Sequence, residues 1–322
     1  MDRATTDVVF FGSGAFGAPT LERLARTRNV SAIVTQPDRP AGRGSKLTPT
    51  PIAAWASEHV PGTPILKPER IAESDVIEQV RAAGADAWVI IAYGQKLPRA
   101  LLADRFAINL HASLLPRWRG AAPINWAILA GDAESGNSVI TIADRMDAGE
   151  VLAQSRRLIE PSTTAGELHD VLAADGPDLV EEVLDRHARG DVQATTQDES
   201  LVTHARKLAA SDAWVDFREP ASRCRCRING LSPWPGVLVH VGDDALKLLR
   251  AQEGPALSET EGGGEGRIVD APGGLVVCAD GTTLRLLEVQ PAGKRRMSWS
   301  DFARGRGGLD AARLESRRIP TC

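Results

Sequence analysis

The sequence has few of the residues that mark a secreted, metal-binding or membrane protein. Only four of its 322 residues are cysteines: Cys224, Cys226, Cys278 and Cys322. No two of them form a C-x-x-C pair and no histidine lies close to them, which argues against a zinc site or a disulfide framework. No apolar run approaches the roughly 20 residues that cross a bilayer, and the start lacks the apolar core of a signal peptide. We therefore expect a cytoplasmic protein that needs neither a membrane nor a metal ion.

Aromatic residues are also scarce, with one Tyr, six Phe and seven Trp. Binding of single-stranded nucleic acid by base stacking needs aromatic platforms, so the composition disfavours that class of protein. The net charge is −4, yet residues 205–322 carry +3, from 18 basic and 15 acidic residues. This half is only mildly basic, so any contact with nucleic acid must come from local patches. The candidates for such a basic strip are Arg206, Lys207, Arg223, Arg225, Arg227, Lys294, Arg295 and Arg296.

The length and the pattern of segments predict two domains. In the first half, strand-like runs alternate with helical runs. The strands are a run that feeds a glycine turn in 7–17, the runs 30–38, 86–94 and 107–112, and a run that enters a turn in 138–149, and the helices lie near 19–29, 49–59, 74–84 and 122–131. This alternation predicts a doubly wound, mostly parallel, Rossmann-like α/β sheet. Five short strand-like runs in 237–290 predict a small OB-type β-barrel. The expected bounds are 1–190 for the first domain, 191–210 for a polar linker and 211–322 for the barrel domain.

The glycines at 12–17 offer one interpretation of the first domain. "GSGAFG" fits the G-x-G-x-x-G pattern after a strand and before a helix, and Asp38 follows at the distance of a ribose-binding acid. On that interpretation the protein is an NAD-dependent oxidoreductase. A tight strand-to-helix turn also favours glycine without any cofactor. The long Pro/Gly/basic segment 38–51 interrupts the expected continuation of a dinucleotide fold, and it favours the second explanation.

A second set of polar residues carries more chemistry. Asn109 and His111 flank Leu110 in the strand-like run "AINLHA". Side chains alternate along a strand, so the amide and the imidazole point to the same face. Asp147 follows the next strand, in "RMDAGEVL". Ligands of open parallel sheets bind outside the carboxyl ends of the strands, so we expect these three side chains to converge there.

An amide, an imidazole and a carboxylate suit the transfer of an acyl-type group to an amine. The carbonyl oxygen gains negative charge as the amine attacks, and a fixed hydrogen-bond donor such as Asn109 stabilises it. The amine must lose a proton, and His111 can handle protons near neutral pH. Asp147 can orient the imidazole, stabilise its charged form or take a proton. No serine or cysteine nucleophile is needed for this reaction.

These residues resemble a known family. The sequence is similar to the folate-dependent formyltransferases in four features that follow one another in order. These are Asn-x-His at 109–111, Ser113-Leu114-Leu115-Pro116, Arg119-Gly120, and Asp147 at 36 residues after His111. The resemblance spans nearly the whole chain, because four further segments fall in order: 35–51, 92–98, 197–208 and "SPWPG" at 232–236. The triplet alone is shared with members that act on small amines, sugar nucleotides or water. Segment 35–51 and "SPWPG" resemble the members that act on initiator methionyl-tRNA.

The resemblance implies a function and a set of site residues. It implies 10-formyltetrahydrofolate as formyl donor and initiator methionyl-tRNA as acceptor. We also expect a monomer whose barrel domain contacts tRNA. Asn109, His111 and Asp147 would be catalytic, and Ser113, Leu114, Leu115 and Pro116 would line the folate site. The loop with Arg39, Arg43 and Lys46 would meet the tRNA. A sibling formyltransferase or hydrolase, an NAD-dependent oxidoreductase and a non-catalytic RNA-binding protein remain as alternatives.

Overall fold

The computed structural model describes residues 6–42, 44–257 and 264–316. Its contacts divide the chain into two units: unit 1 is 1–119, 136–157 and 169–203, and unit 2 is 120–135, 158–168 and 204–322. The predicted domain bounds, 1–190, 191–210 and 211–322, stay a prediction, because the units interleave along the chain.

The first part of the chain alternates strands and helices. The strands are β1 (Val8–Gly12), β2 (Val30–Val34), β3 (Arg39–Ala41), β4 (Lys46–Thr48), β5 (Ile65–Leu66), β6 (Ala87–Ile91), β7 (Phe106–His111), β8 (Arg119–Gly120), β9 (Glu134–Thr141) and β10 (Val151–Leu158). The helices are α1 (Ala18–Thr27), α2 (Pro51–His59), α3 (Ser74–Arg81), α4 (Arg99–Leu102), α5 (Pro123–Ala130) and α6 (Ala165–Arg189). The predicted helices near 19–29, 49–59, 74–84 and 122–131 correspond to α1, α2, α3 and α5.

One sheet organises unit 1, in the order β10-β9-β7-β6-β1-β2-β5. The pairs β1–β2, β1–β6, β6–β7 and β2–β5 are parallel, whereas β7 and β9 are antiparallel. β1 and β6 are buried along their whole length, as expected for central strands that are covered on both faces. The predicted doubly wound, mostly parallel sheet is confirmed.

Helix starts follow the local sequence. Thr50 accepts a hydrogen bond from the backbone N–H of Ala53 at 3.1 Å, and Pro51 occupies the first turn of α2, where its missing N–H is harmless. At the start of α6, Thr164 and Glu167 form a reciprocal capping box, with Thr164 N–H donating to the carboxylate at 3.0 Å. These caps satisfy backbone donors that the first helical turn leaves unpaired.

Close packing requires two of the three glycines of "GSGAFG". Gly12, Gly14 and Gly17 all have negative φ, so a left-handed backbone is not the reason for them. A Cβ on Gly12 would overlap the ring of Phe10, and one on Gly17 would lie 3.3 Å from the side chain of Ile91. The turn is therefore glycine-rich because the chain passes close to two core side chains, which corrects the explanation by backbone freedom.

Unit 2 contains the second sheet. From residue 204 onwards the elements are β11 (His204–Ala205), α7 (Ala221–Gly230), β12 (Val237–Val241), β13 (Asp244–Glu253), β14 (Ile268–Asp270), β15 (Leu275–Val277), β16 (Thr283–Pro291), β17 (Met297–Ser298), α8 (Trp299–Arg304) and β18 (Leu314–Glu315). The order is β14-β15-β16-β13-β12-β18, and β17 pairs with β16. This curled antiparallel sheet confirms the predicted OB-like domain. The thiols of Cys224, Cys226 and Cys278 are free and buried, while Cys322 lies outside the described residues.

Candidate active site

Strand β7 presents its polar side chains on one face. Ile108 and Leu110 are buried at 0% and 3% exposure, and Leu110 packs against Gly176 of α6, where a Cβ would meet the leucine methyl at 2.6 Å. Asn109 and His111 therefore point to the other face. Asn109 is half-buried. Among the residues that the structure describes, none hydrogen-bonds its side-chain amide, so this donor is available to a substrate oxygen.

The two nitrogens of His111 face different groups. Nε2 lies 2.9 Å from the carbonyl oxygen of Trp118, and Nδ1 lies 3.7 Å from Oδ2 of Asp147. The His111 and Asp147 side chains are only 7% and 14% exposed, so water screens this pair weakly. A separation of 3.7 Å is longer than a direct hydrogen bond, and catalytic contacts are often longer without substrate than with it. The pair can pass or share a proton at this face.

Asp147 reaches His111 by a route that we did not predict. β9 runs antiparallel to β7, with His111 opposite Ser138 and Ile108 opposite Thr141. The carboxyl ends of these two strands consequently lie at opposite edges. The two side chains do meet, but the explanation by converging carboxyl ends is wrong. Segment 142–150, between β9 and β10, brings Asp147 back to His111.

The path of segment 142–150 is closely constrained. Thr141 N–H donates to the carbonyl of Glu150 at 3.0 Å, and Glu150 N–H donates to the Thr141 hydroxyl at 2.9 Å. A Cβ on Gly149 would overlap the carbonyl oxygen of Thr141. Asp147 itself has φ +53°, a left-handed conformation that costs about 1–2 kcal/mol in a residue other than glycine. A side chain at position 149 would therefore push the segment away from Thr141.

The segment predicted to line the folate site follows His111 directly. Ser113 is fully buried, and its hydroxyl donates to the carbonyl of Arg117 at 2.7 Å. The hydroxyl of Ser138 accepts from Leu115 N–H at 3.1 Å, and Gln154 donates to the Leu115 carbonyl at 3.0 Å. Ser113 and Leu115 are thus buried, and their hydrogen bonds fix the backbone of this segment, whereas Leu114 and Pro116 are half-buried. A role of these four residues in folate binding stays a prediction.

Polar groups also join the ends of three neighbouring parallel strands. Ser13, after β1, donates its hydroxyl hydrogen to the carbonyl of Tyr93 at 3.1 Å and accepts from Gln36 N–H at 3.1 Å. The Gln36 amide donates to the same carbonyl at 3.2 Å. Burial raises the pKa of Tyr93 to about 12, so its phenol is neutral at physiological pH. Sequence reasoning missed this network because each residue is unremarkable within its own segment.

A second missed network lies beside the Asp147 segment. Gln197 and Arg119 are buried at 7% and 4% exposure, and Arg119 donates to the Gln197 carbonyl oxygen at 2.8 and 3.0 Å. The Arg119 guanidinium beside Glu199 holds the pKa of that carboxyl below its ordinary value, and Arg145 adds to the effect. Gln197 falls in the segment 191–210, which polarity predicts to be a linker.

The predicted tRNA loop is a hairpin. β3 and β4 pair antiparallel with Arg39 opposite Thr48 and Ala41 opposite Lys46, and all of these residues are exposed. Arg39 pairs with Glu69 at 2.7 Å. Arg43, the central residue of the prediction, lies outside the described residues. The hairpin follows β2, three strand positions from β7, which is about 14 Å at the usual spacing of neighbouring strands.

Three arginines of the predicted basic strip make ion pairs, hydrogen bonds or ring contacts within unit 2. Arg227 lies over the Trp214 ring at 3.7 Å and donates to the carbonyl of Asp212 at 2.9 Å. Arg225 pairs with Glu253 at 3.1 Å, and Arg206 pairs with Asp212. These three arginines are occupied by structural contacts, which weakens the prediction that the whole strip binds phosphate.

The described residues offer no group of three or more His, Cys, Asp or Glu side chains that would hold a metal ion. In the same part of the chain, no helix has both the length and the apolar character needed to cross a membrane.

Comparison with known proteins follows the division of the sequence. A family profile described as "Formyl transferase" matches residues 6–184, and one described as "Formyl transferase, C-terminal domain" matches residues 207–307. A protein of Methylobacterium sp. (strain 4-46) named "Methionyl-tRNA formyltransferase" is 42% identical over 306 residues, which cover 93% of this chain and 96% of the relative. A protein of the same name from Symbiobacterium thermophilum is 41% identical and covers 97% of this chain and 96% of its own length.

Solved structures show the same fold at low identity. A sugar 3N-formyl transferase, WlaRD, described in the presence of dTDP and 5-N-formyl-THF, aligns with a TM-score of 0.65 at 12% identity, covering 90% of this chain and 99% of that one. HypX from Aquifex aeolicus, in complex with tetrahydrofolic acid, aligns at 0.61 and 14% identity, covering 93% of this chain and 47% of HypX.

Proposed function

The chain belongs to the formyl transferase family, and from this membership we propose that it formylates the methionine carried by initiator methionyl-tRNA, with 10-formyltetrahydrofolate as donor. The observation that carries the proposal is the match to relatives named methionyl-tRNA formyltransferase, which extends over nearly the whole chain at about 40% identity. The chain is thus an enzyme of translation initiation.

A folate donor agrees with the family and with two structural neighbours. WlaRD and HypX are described with 5-N-formyl-THF and tetrahydrofolic acid respectively. We propose that residues 113–116 contact the bound folate and place its formyl group beside the Asn109–His111 face. Their position directly after His111 on β7 supports this assignment.

In the proposed reaction, the methionyl amino nitrogen attacks the formyl carbon and a new C–N bond forms. The formyl oxygen carries negative charge in the tetrahedral intermediate. When the bond from that carbon to folate N10 breaks, the amide is complete and N10 takes a proton. The amine gives up one proton, so the products are formylmethionyl-tRNA and tetrahydrofolate.

The three predicted catalytic residues fit these steps. The Asn109 amide can donate to the developing oxyanion, a contribution that is typically worth 10²–10³-fold in rate. His111 and Asp147 lie 3.7 Å apart and can accept the amine proton and return one to folate N10. Asp147 also stabilises the charged imidazole while the proton resides on it.

We propose that the hairpin β3–β4, with Arg39, Arg43 and Lys46, contacts the acceptor end of the tRNA. The exposed side chains of Arg39 and Lys46 and the place of the hairpin after β2 support this role, because β2 ends at the same edge of the sheet as β7. We also propose that the enzyme acts as a monomer in the cytoplasm, where initiator tRNA is charged and used.

The test is a formylation assay with the purified chain, 10-formyltetrahydrofolate and initiator tRNA charged with labelled methionine. We expect formylmethionyl-tRNA, and little product from an elongator methionyl-tRNA. Replacing Asn109, His111 or Asp147 with Ala should lower kcat by roughly 10²–10⁴-fold. His59, which is exposed and stacks on Trp55 of α2, gives the control His59→Ala with unchanged turnover.

The alternatives give different results in the same assay. Formylation of a free amino sugar or rapid release of formate, without formylation of tRNA, would identify a sibling formyltransferase or a hydrolase. Near-normal turnover by a folded His111→Ala protein would contradict the catalytic assignment while leaving the function intact.

A further inference from the structure

Segment 197–203 contacts the backbone on both sides of the His111–Asp147 pair. At its start, the Gln197 amide nitrogen donates to the carbonyl oxygens of Asp147 at 2.8 Å and Gly149 at 2.6 Å. Both amide hydrogens are thereby used, one on each side of Ala148. The Gln197 side chain fixes the backbone that carries the Asp147 carboxylate.

The orientation of Gln197 is itself determined. Its carbonyl oxygen accepts from Nε of Arg119 at 3.0 Å and from Nη2 at 2.8 Å. An arginine can only donate and a backbone carbonyl can only accept, so the amide cannot be flipped without losing contacts at both ends. The Arg119 side chain is 5% exposed and also pairs with Glu199 at 3.0 Å. The Gln197 amide is thus fixed in the orientation in which its nitrogen can donate to the carbonyl of Asp147.

The other end of the segment reaches the partner of His111. The Thr203 hydroxyl accepts from Trp118 N–H at 2.9 Å, and the Thr203 carbonyl accepts from Arg119 N–H at 2.9 Å. The Trp118 carbonyl in turn accepts from His111 Nε2 at 2.9 Å. One continuous stretch of chain therefore supports the peptide that orients the imidazole and the peptide that carries the carboxylate.

Both supported peptides have unusual backbones. Trp118 has φ +64° and Asp147 has φ +53°. Such conformations in residues other than glycine cost about 1–3 kcal/mol and persist only where the surroundings enforce them. The hydrogen bonds with Thr203 and Gln197 hold Trp118 and Asp147 in these conformations. These are the two positions on which the geometry of the His111–Asp147 pair depends.

We propose that Gln197 is a positioning residue, which acts through Asp147 to set the distance and angle between its carboxylate and His111, and that Thr203 does the same for the Trp118 carbonyl. The kinetic test of this inference rests on the proposed function, because it measures formylation of methionyl-tRNA. The hydrogen bonds of the two side chains go to Arg119 and to backbone groups of Trp118, Asp147 and Gly149. Loss of the Gln197 contacts should therefore slow the chemical step and leave the binding of both substrates nearly unchanged.

Three variants test the proposal. Gln197→Met keeps the length of the side chain and removes all four hydrogen bonds. Gln197→Glu keeps the acceptor for Arg119 and removes the donors to Asp147 and Gly149. Gln95→Met is the matched control, because the Gln95 amide likewise donates to two carbonyls, Pro68 at 3.2 Å and Glu69 at 3.3 Å, and accepts from Ile71 N–H.

We expect both Gln197 variants to lower kcat by about 10- to 100-fold, the usual effect of a misplaced catalytic group. KM for folate and for methionyl-tRNA should stay within about twofold. The Gln95→Met control should keep kcat within about twofold, and a thermal melt of each protein identifies any general loss of stability. Unchanged kcat in both Gln197 variants, or a raised KM with normal kcat, would overturn the proposal.

A double-mutant cycle separates positioning from a general structural effect. In the Asp147→Ala background, Gln197→Met should lower kcat by less than about twofold further, because the group that it positions is gone. A full second loss would show that Gln197 does not act through Asp147.

The His111 ring gives a readout that is independent of activity. Its ¹⁵N resonances should shift in Gln197→Met and stay unchanged in Gln95→Met, since only the first variant moves the carboxylate that faces Nδ1. Absence of methionyl-tRNA formylation by the wild-type chain would contradict the proposed function alone. The ring resonances would still decide the positioning role, and unshifted resonances in Gln197→Met would reject it.

Discussion

His111 donates the hydrogen on Nε2 to the carbonyl oxygen of Trp118 at 2.9 Å, and this contact decides which nitrogen faces Asp147. A backbone carbonyl has no hydrogen to give, so Nε2 must carry one. In the neutral ring the lone pair therefore lies on Nδ1, which is 3.7 Å from Oδ2 of Asp147. Nδ1 is the nitrogen at which His111 gains and loses its proton.

The first prediction concerns this tautomer. In ¹⁵N spectra recorded at a pH where the ring is neutral, His111 should show a protonated Nε2 and an unprotonated Nδ1. The reason is the Trp118 acceptor, which only the Nε2–H form can use. His59, whose Nδ1 lies 2.9 Å from the carbonyl oxygen of Trp55, serves as the reference ring for the opposite tautomer. A dominant Nδ1–H form would place the proton-handling atom on the other side of the ring and contradict the arrangement.

The second prediction concerns Gly149. Gly149→Ala should lower the melting temperature by several degrees and should lower kcat, because its Cβ would overlap the Thr141 carbonyl and push segment 142–150 away. Overpacking of this kind typically costs about 1–3 kcal/mol. Gly62→Ala is the control, since nothing lies within 4 Å of a Cβ there. Equal melting temperatures and equal kcat for the two variants would show that the segment adapts freely.

The third prediction concerns pH and unit 2. The hydrogen bond from Arg206 holds the pKa of the Asp212 carboxyl below its ordinary value of 3.8. A lowered folded-state pKa gives stability that is fully present above the unfolded-state pKa and is lost as the pH falls through the folded-state pKa. Asp212→Asn should therefore reduce the free energy of unfolding at neutral pH. The difference in the free energy of unfolding between wild type and variant should shrink as the pH falls below 3.8.

Urea titrations at several pH values measure this difference. Asp310→Asn is the control, because Asp310 is exposed in the same unit and its replacement should change stability little at any pH. A difference for Asp212→Asn that stays constant down to the acid transition would contradict the assignment.

The fourth prediction concerns the hairpin β3–β4. Replacing Arg39, Arg43 and Lys46 together with Ala should raise KM for methionyl-tRNA and reduce its dependence on salt, because each lost phosphate contact lowers the slope of log affinity against log salt by about one. The melting temperature should not change, since Arg39 and Lys46 are exposed. KM for folate should also be unaffected. Arg189→Ala, at the exposed end of α6, is the control, and an unchanged salt slope in the triple variant would exclude the hairpin from the tRNA interface.

The sequence predicts most of the fold but only part of the site. The features that it predicts follow from local rules, whereas the features that it misses depend on tertiary contacts. The shared face of Asn109 and His111 follows from strand alternation, which is a local rule. The direction of β9 does not, because a buried run such as "NSVIT" has the same composition in a parallel and in an antiparallel strand. The meeting of His111 with Asp147 was therefore predicted for a reason that the topology does not support.

Other elements escape prediction because their stability is tertiary. Gln197 and Arg119 can be buried because Arg119 donates to Gln197 and Glu199, and Gln197 donates to the carbonyls of Asp147 and Gly149. Nothing within 191–210 indicates such burial, and its polar composition is typical of a linker. β10 is mostly exposed after Leu152, and the hairpin β3–β4 is exposed throughout, so neither shows the apolar alternation that marks a strand.

The contacts of segment 197–203 also set a lower limit on the piece of the chain that can be studied as a catalyst. A truncation after residue 190, at the border that composition indicates, would retain Asn109, His111 and Asp147 and would still lose the acceptor for Trp118 N–H and the donor to the Asp147 carbonyl. Such a fragment would contain every reacting side chain but would lose the contacts that position two of them, His111 and Asp147. Any dissection or transplantation of this active site into another scaffold must extend through Thr203.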